Sequence, residues 1–118
     1  MQLVFETSEA VPGVSLVVTT PANGETVDGS VVVTGHSAGG AAAVIRVTTT
    51  VYADDELVKT IPGTRCRADE TGAFRVRIAT PSVRNAVGRR IRYSIQVSEM
   101  MPDGSPGPAV TVNVYRQQ

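Results

Sequence analysis

The segment Gly35-His36-Ser37-Ala38-Gly39 has the spacing of a nucleophile elbow, G-x-S-x-G, in which a serine is presented on a sharp turn between a strand and a helix. Its surroundings fit in part: Val31 to Thr34 reads as a strand, and an alanine run follows. The chemistry does not fit. A serine nucleophile needs a histidine base, and in the fold that carries this motif the histidine comes later in the chain. His36 is the sole histidine, and it adjoins the serine. No parallel βα units are legible either. The segment is therefore expected to be a glycine-rich turn after a strand.

Cys66 is the only cysteine, so no internal disulfide is available. With His36 it would make a nucleophile–base pair. However, strand alternation turns Arg65 and Arg67 one way and Cys66 inward, where a small apolar filler is expected. One cysteine and one histidine do not complete a tetrahedral zinc set. Asp28, Asp54-Asp55-Glu56, Asp69-Glu70 and Asp103 fall in turns and carry the oxygen ligands calcium prefers. No EF-hand spacing accompanies them, so they read as solvated turn carboxylates. No catalytic residue, metal site or cofactor is expected.

The elements that position these residues are short runs of alternating Val, Ile and Thr, cut by Pro-Gly, Asn-Gly, Asp-Gly and Gly-Gly pairs. Period-two alternation between turn residues marks half-buried strands, and its repetition along the chain argues for a sandwich or barrel. The pattern predicts a short edge strand at Leu3 to Phe5, then strands at Val14 to Thr20, Ser30 to Thr34 and Val44 to Ala53. Further strands are predicted at Glu56 to Ile61 (ended by Pro62-Gly63), Phe74 to Ile78, Ile91 to Ser98 and Val110 to Val114. That makes seven besides the short edge segments, of which Thr64 to Ala68 is a second candidate. No window has a convincing helical period. At 118 residues, 42% hydrophobic and 19% charged, the chain is one domain able to close a core. With no Trp, two Phe and three Tyr, that core is largely aliphatic. No apolar run is long enough to span a membrane. The expected fold is all-β, an immunoglobulin-like antiparallel β-sandwich of seven to eight strands. Residues 1–13 would form an N-terminal arm or edge strand and residues 14–118 the sandwich; a small barrel is the alternative.

Thr20-Pro21 through Gly24, Val27, Gly29, Val31, Val33 and Gly35 resembles the opening of bacterial Ig-like domains. Asp69 to Phe74 resembles their D-x-x-G-x-F turn. Tyr93 to Val97, the Asp103-Gly104-Ser105 loop and Val110 to Val114 are similar to their last hairpin. The resemblance covers residues 14–115. It implies a non-catalytic module of surface proteins, adhesins, secreted enzymes or phage virions.

Charge is balanced overall but uneven along the chain. Residues 1–56 hold seven acids and one base, Arg46, whereas residues 57–92 hold nine bases and two acids. If the strand at Val44 to Ala53 pairs with that at Ile91 to Ser98, Arg46, Arg90 and Arg92 share one outer sheet face. Arg75 and Arg77 then decorate the other sheet. Such a face would suit an anionic partner, or would be a solvated surface that discourages edge-to-edge aggregation. The arm residues Leu3 and Phe5 and the loop tip Met100-Met101 are apolar groups expected outside the sheets, suited to an adaptable contact.

These residues define the expected partner surface: Arg46, Arg90, Arg92, Met100, Met101, Leu3 and Phe5. The function expected is a structural or binding module of a bacterial surface or secreted protein, with a protein or surface glycan as partner. One alternative is a phage decoration or tail protein that docks on a capsid or tail assembly at the virion surface. The other is a carbohydrate-binding accessory domain of a secreted hydrolase, for which Tyr52 and Tyr115 are the available aromatics. Nucleic acid is disfavoured by the zero net charge and the lack of aromatic platforms. Met1 to Glu6 lacks a basic segment and a long apolar one. That leaves two expectations, a domain excised from an exported protein or a complete small protein.

Overall fold

The computed structural model describes residues 16–37, 43–101 and 103–117. Seven strands run in the order β1 (Leu16–Thr20), β2 (Ser30–Ser37), β3 (Val44–Ala53), β4 (Glu56–Arg67), β5 (Ala73–Ala79), β6 (Arg90–Met100) and β7 (Pro106–Gln117). No helix occurs among the described residues. The strands form two antiparallel sheets, one ordered β1-β2-β5 and one ordered β4-β3-β6-β7. β2 pairs with β5 in one sheet and β3 with β6 in the other, so the chain crosses between layers three times, after β2, β4 and β5, as in an immunoglobulin-like sandwich. The predicted arm at residues 1–13, including Leu3 to Phe5, lies outside the described residues.

Alternation fixes which side of each strand is buried. Val31 and Val33 on β2 and Phe74 and Ile78 on β5 meet Ile45, Val47 and Val51 on β3 and Ile91 to Val97 on β6. Ile91, Tyr93, Ile95 and Val97 are all fully buried, while Gln96 between them is exposed. Gly35 is needed where β1, β2 and β5 come together. A Cβ there would collide with the Val17 carbonyl and with the Phe74 ring that packs over it.

Three boundaries differ from the sequence expectation. β2 continues through Gly35 and His36 to Ser37, because β1 and β5 supply partners on both sides: Leu16 opposes Ser37 and Ala73 opposes His36. The predicted turn is therefore strand as far as Ser37. Pro62-Gly63 does not end a strand. Thr64 pairs with Val47 and Ile61 with Thr49, so two residues of β4 oppose Thr48 alone, a bulge. Proline is tolerated there because β4 is an edge strand and its missing N–H costs no central ladder bond. The last hairpin is also longer than expected, with β7 starting at Pro106 opposite Met100.

Turns and corners complete the frame. Asp54 and Asp55 have φ of 48° and 69°, the left-handed pair that closes a two-residue hairpin between Ala53 and Glu56. At one end of the sandwich, Tyr93 Oη donates to the Pro81 carbonyl at 2.5 Å and Arg116 Nη1 to the Thr80 carbonyl at 2.9 Å. These bonds tie the β5–β6 connection to β6 and β7. Residues 24–27 cover part of the open edge of β7: Gly24 N donates to Asn113 O and Val27 N to Tyr115 O.

Candidate binding surface

The outer face of the four-stranded sheet collects Arg46, Arg65, Arg67, Arg90 and Arg92 together with Tyr52 and Tyr115. Register places Leu57, Tyr52, Arg92 and Tyr115 in one row across β4, β3, β6 and β7. The Arg92 guanidinium lies over the Tyr52 ring, 4.1 Å from its centroid, and that of Arg90 lies over Tyr115 at 3.8 Å. Stacking on a ring face holds a long, mobile side chain flat and leaves its N–H edge free to donate. Arg92 Nη1 donates to Asn113 Oδ1 at 3.2 Å, and its Nε lies 3.8 Å from Asp55 Oδ1. Asp54, Asp55, Arg90, Arg92 and Tyr115 line a shallow hollow of about 180 Å³.

The acidic hairpin beside this row is pinned by Arg89. Its Nε donates to Asp54 Oδ2 at 3.0 Å, its Nη2 to the Ala53 carbonyl at 3.0 Å, and Glu56 lies 3.5 Å away. The Arg89 hydrogen bond, followed by that from the Arg90 backbone N–H, holds the Asp54 carboxyl below the usual carboxylate range. Asp54 is thus held as a carboxylate, and the hollow has a rim of Asp54 and Asp55 beside Arg90 and Arg92.

Arg46 does not join this row. It opposes Ser98, whereas Arg92 opposes Tyr52 six residues along β3, about 20 Å away at 3.3 Å per residue. The shared face was legible, but a single arginine cluster was not what folded. At the Arg46 end, β4 brings Arg65 directly opposite Arg46, with Arg67 two residues on. Met100 opposes Val44 there, so it lies on the outer face beside the Arg46 end. Met101 is 38% exposed at the hairpin tip, its thioether lying over Gly107. Leu3 and Phe5 lie outside the described residues. Arg65 and Arg67 were the residues missed. The signal was their alternation around Cys66 on a strand adjacent to Arg46, obscured by splitting β4 at Pro62.

The residues with nucleophilic chemistry are kept apart. Ser37 is fully buried and donates from Oγ to Glu99 Oε1 at 2.6 Å. His36 faces the opposite side of β2, exposed, with Nε2 on the Thr71 carbonyl. Cys66 packs against the core from the other sheet, and burial pushes its thiol pKa up. The turn acids make local bonds: Asp69 Oδ1 accepts from Thr71 N at 2.8 Å and Thr71 Oγ1 at 2.6 Å. Among the described residues no three of His, Cys, Asp and Glu gather as a metal-ligand set. No protein-family model matches this chain, and no curated protein matches its sequence.

Proposed function

We propose that this chain is a non-catalytic immunoglobulin-like binding module of a bacterial surface or secreted protein, and that it contacts its partner through the outer face of the four-stranded sheet. The observation that carries the proposal is the row Tyr52–Arg92–Tyr115, in which the half-buried Arg92 guanidinium is held flat on Tyr52 and that of the neighbouring exposed Arg90 on Tyr115. A solvated sheet face needs no such order. Preorganised donors, by contrast, lower the entropy cost of binding. The family resemblance gains support from Tyr93, whose hydroxyl returns to the strand connection just upstream, the role of a tyrosine corner in immunoglobulin-like sandwiches. The placement of Ser37 and His36 on opposite sides of β2, with the serine hydroxyl donating to Glu99 and the imidazole on the Thr71 carbonyl, favours binding over catalysis.

The test is retention on an envelope fraction of the source organism. Wild type is compared with Tyr52→Ala/Tyr115→Ala and with Arg75→Ala/Arg77→Ala on the other sheet. The expected result is retention of wild type and of the Arg75/Arg77 variant, and loss of the tyrosine variant. Equal retention of all three would show that this face is not the contact surface.

A further inference from the structure

Arg46 and Arg65 are direct cross-strand neighbours on β3 and β4, both exposed. Like charges at that spacing, with Cβ atoms about 5 Å apart, repel one another. Among the described residues neither has an acidic partner: the ion pairs Arg89–Asp54, Arg89–Glu56 and Arg92–Asp55 all lie at the other end of the sheet. Glu99, the nearest acid in register, points inward to Ser37. Arg67 adds a third guanidinium on the same side of β4, and a shallow hollow of about 290 Å³ is lined by Val44, Arg65, Cys66 and Arg67. The bulge contributes as well. The Arg46 side chain lies across Gly63, where a Cβ would come within 2.7 Å of its Nε.

We propose that Arg46, Arg65 and Arg67 form an anion-binding site that takes the carboxylate or sulfate groups of an acidic polysaccharide laid along the outer face of the sheet. The proposal rests on the assignment of that face as the contact surface, and it names the ligand class. Charge complementarity calls for an anion, because a bound oxyanion relieves the Arg46–Arg65 repulsion and matches the bidentate fork of each guanidinium. The rest of the face selects the polymer. Between the two arginine ends it presents Thr48, Thr50, Ser94, Gln96, Thr111 and Asn113, a flat strip of hydroxyls and amides. A protein partner draws its affinity from desolvated apolar and aromatic anchors in pockets, and this strip has none. A polyhydroxylated chain finds hydrogen-bond partners along it. Bases of a nucleic acid would need open aromatic faces, but the Tyr52 and Tyr115 rings are covered by Arg92 and Arg90.

The experiment is calorimetric titration with alginate as a uronate polymer, dextran sulfate as a sulfated one, and neutral dextran, at low and high salt. Polyglutamate and single-stranded DNA serve as competitors. Variants are Arg46→Gln/Arg65→Gln, Arg75→Gln/Arg77→Gln as a control of equal charge, and Tyr52→Ala/Tyr115→Ala, each checked for folding by its melting curve. The expected result is salt-sensitive binding of alginate or dextran sulfate, the one bound identifying the anion. Affinity should fall about tenfold or more in Arg46→Gln/Arg65→Gln, the scale of one or two charge-assisted contacts, and stay within about twofold in the Arg75/Arg77 variant. No binding of either anionic polymer at low salt overturns the proposal. So does an equal loss in the Arg75/Arg77 variant, or equal affinity for polyglutamate or DNA. If only the tyrosine variant loses affinity, the anion site fails while the contact face stands. If only Arg46→Gln/Arg65→Gln does, the anion site stands and the tyrosine row is not part of the contact.

Discussion

Ser37 and Glu99 meet across the two sheets, the serine hydroxyl donating to the buried carboxyl at 2.6 Å. Each is the inward-facing residue near the end of its strand, Ser37 on β2 and Glu99 on β6, so the bond fastens one layer to the other. It also accounts for a serine in a hydrolase-like motif without hydrolase chemistry, since the hydroxyl is committed to a structural acceptor inside the sandwich.

Ser37→Ala should therefore destabilise the fold by about 1–3 kcal/mol, because it removes a partner from a buried polar group. Ser37→Ala/Glu99→Met should recover most of that loss, since replacing both partners by apolar groups avoids the orphaned acceptor. Urea denaturation measures both. A Ser37→Ala midpoint equal to wild type would mean that the bond contributes nothing.

Gly35 and Gly29 offer a paired comparison of close approach. Gly35→Ala should cost at least about 1–3 kcal/mol through overpacking against Phe74 and the Val17 carbonyl. Gly29→Ala, with open space around the added methyl, should change stability by less than about 0.5 kcal/mol. Similar melting temperatures for the two variants would contradict the packing of β1, β2 and β5.

The inward register of β6 can be read from adjacent residues. Ile95→Ala should lose about 2–5 kcal/mol, the range for a buried large-to-small change. Gln96→Ala should stay within about 0.5 kcal/mol. Comparable losses in chemical denaturation would mean that the strand faces the other way.

Acid sensitivity follows from three turn carboxyls. Asp54 is lowered by Arg89, Asp69 by the Thr71 hydroxyl and Asp103 by the Ser105 hydroxyl, each helped by backbone N–H groups. Folding depresses each pKa, so the unfolded chain takes up protons first as pH falls. The stability these groups contribute is full above roughly pH 4 and is lost as pH drops through their folded values. Melting temperature should be level from neutral to mildly acidic pH and decline below about pH 4, and Asp69→Asn should shallow that decline. A melting temperature that rises on acidification below that point would show the opposite sign.

The sequence by itself determined the layers. Valine and isoleucine at every second position, with turn pairs between, specify the strands and which side of each is buried, with β4 alone read as two pieces. β3 matches its expected span of Val44 to Ala53 from end to end. The same alternation puts both arginines beside Cys66 outside, because that is a property of one strand, whereas Glu99 lies just past the expected end of its strand at Ser98. Tertiary structure decided what lies across from each residue. Ser37 becomes the partner of Glu99 only when β2 and β6 are stacked, and Arg65 comes to face Arg46 only through the register that the Pro62-Gly63 bulge sets. Alternation has a period of two and carries no information about register between strands far apart in sequence. Hairpin turns, bulges and the fit of the core supply that register, and with it the division of the arginines between two ends of one face.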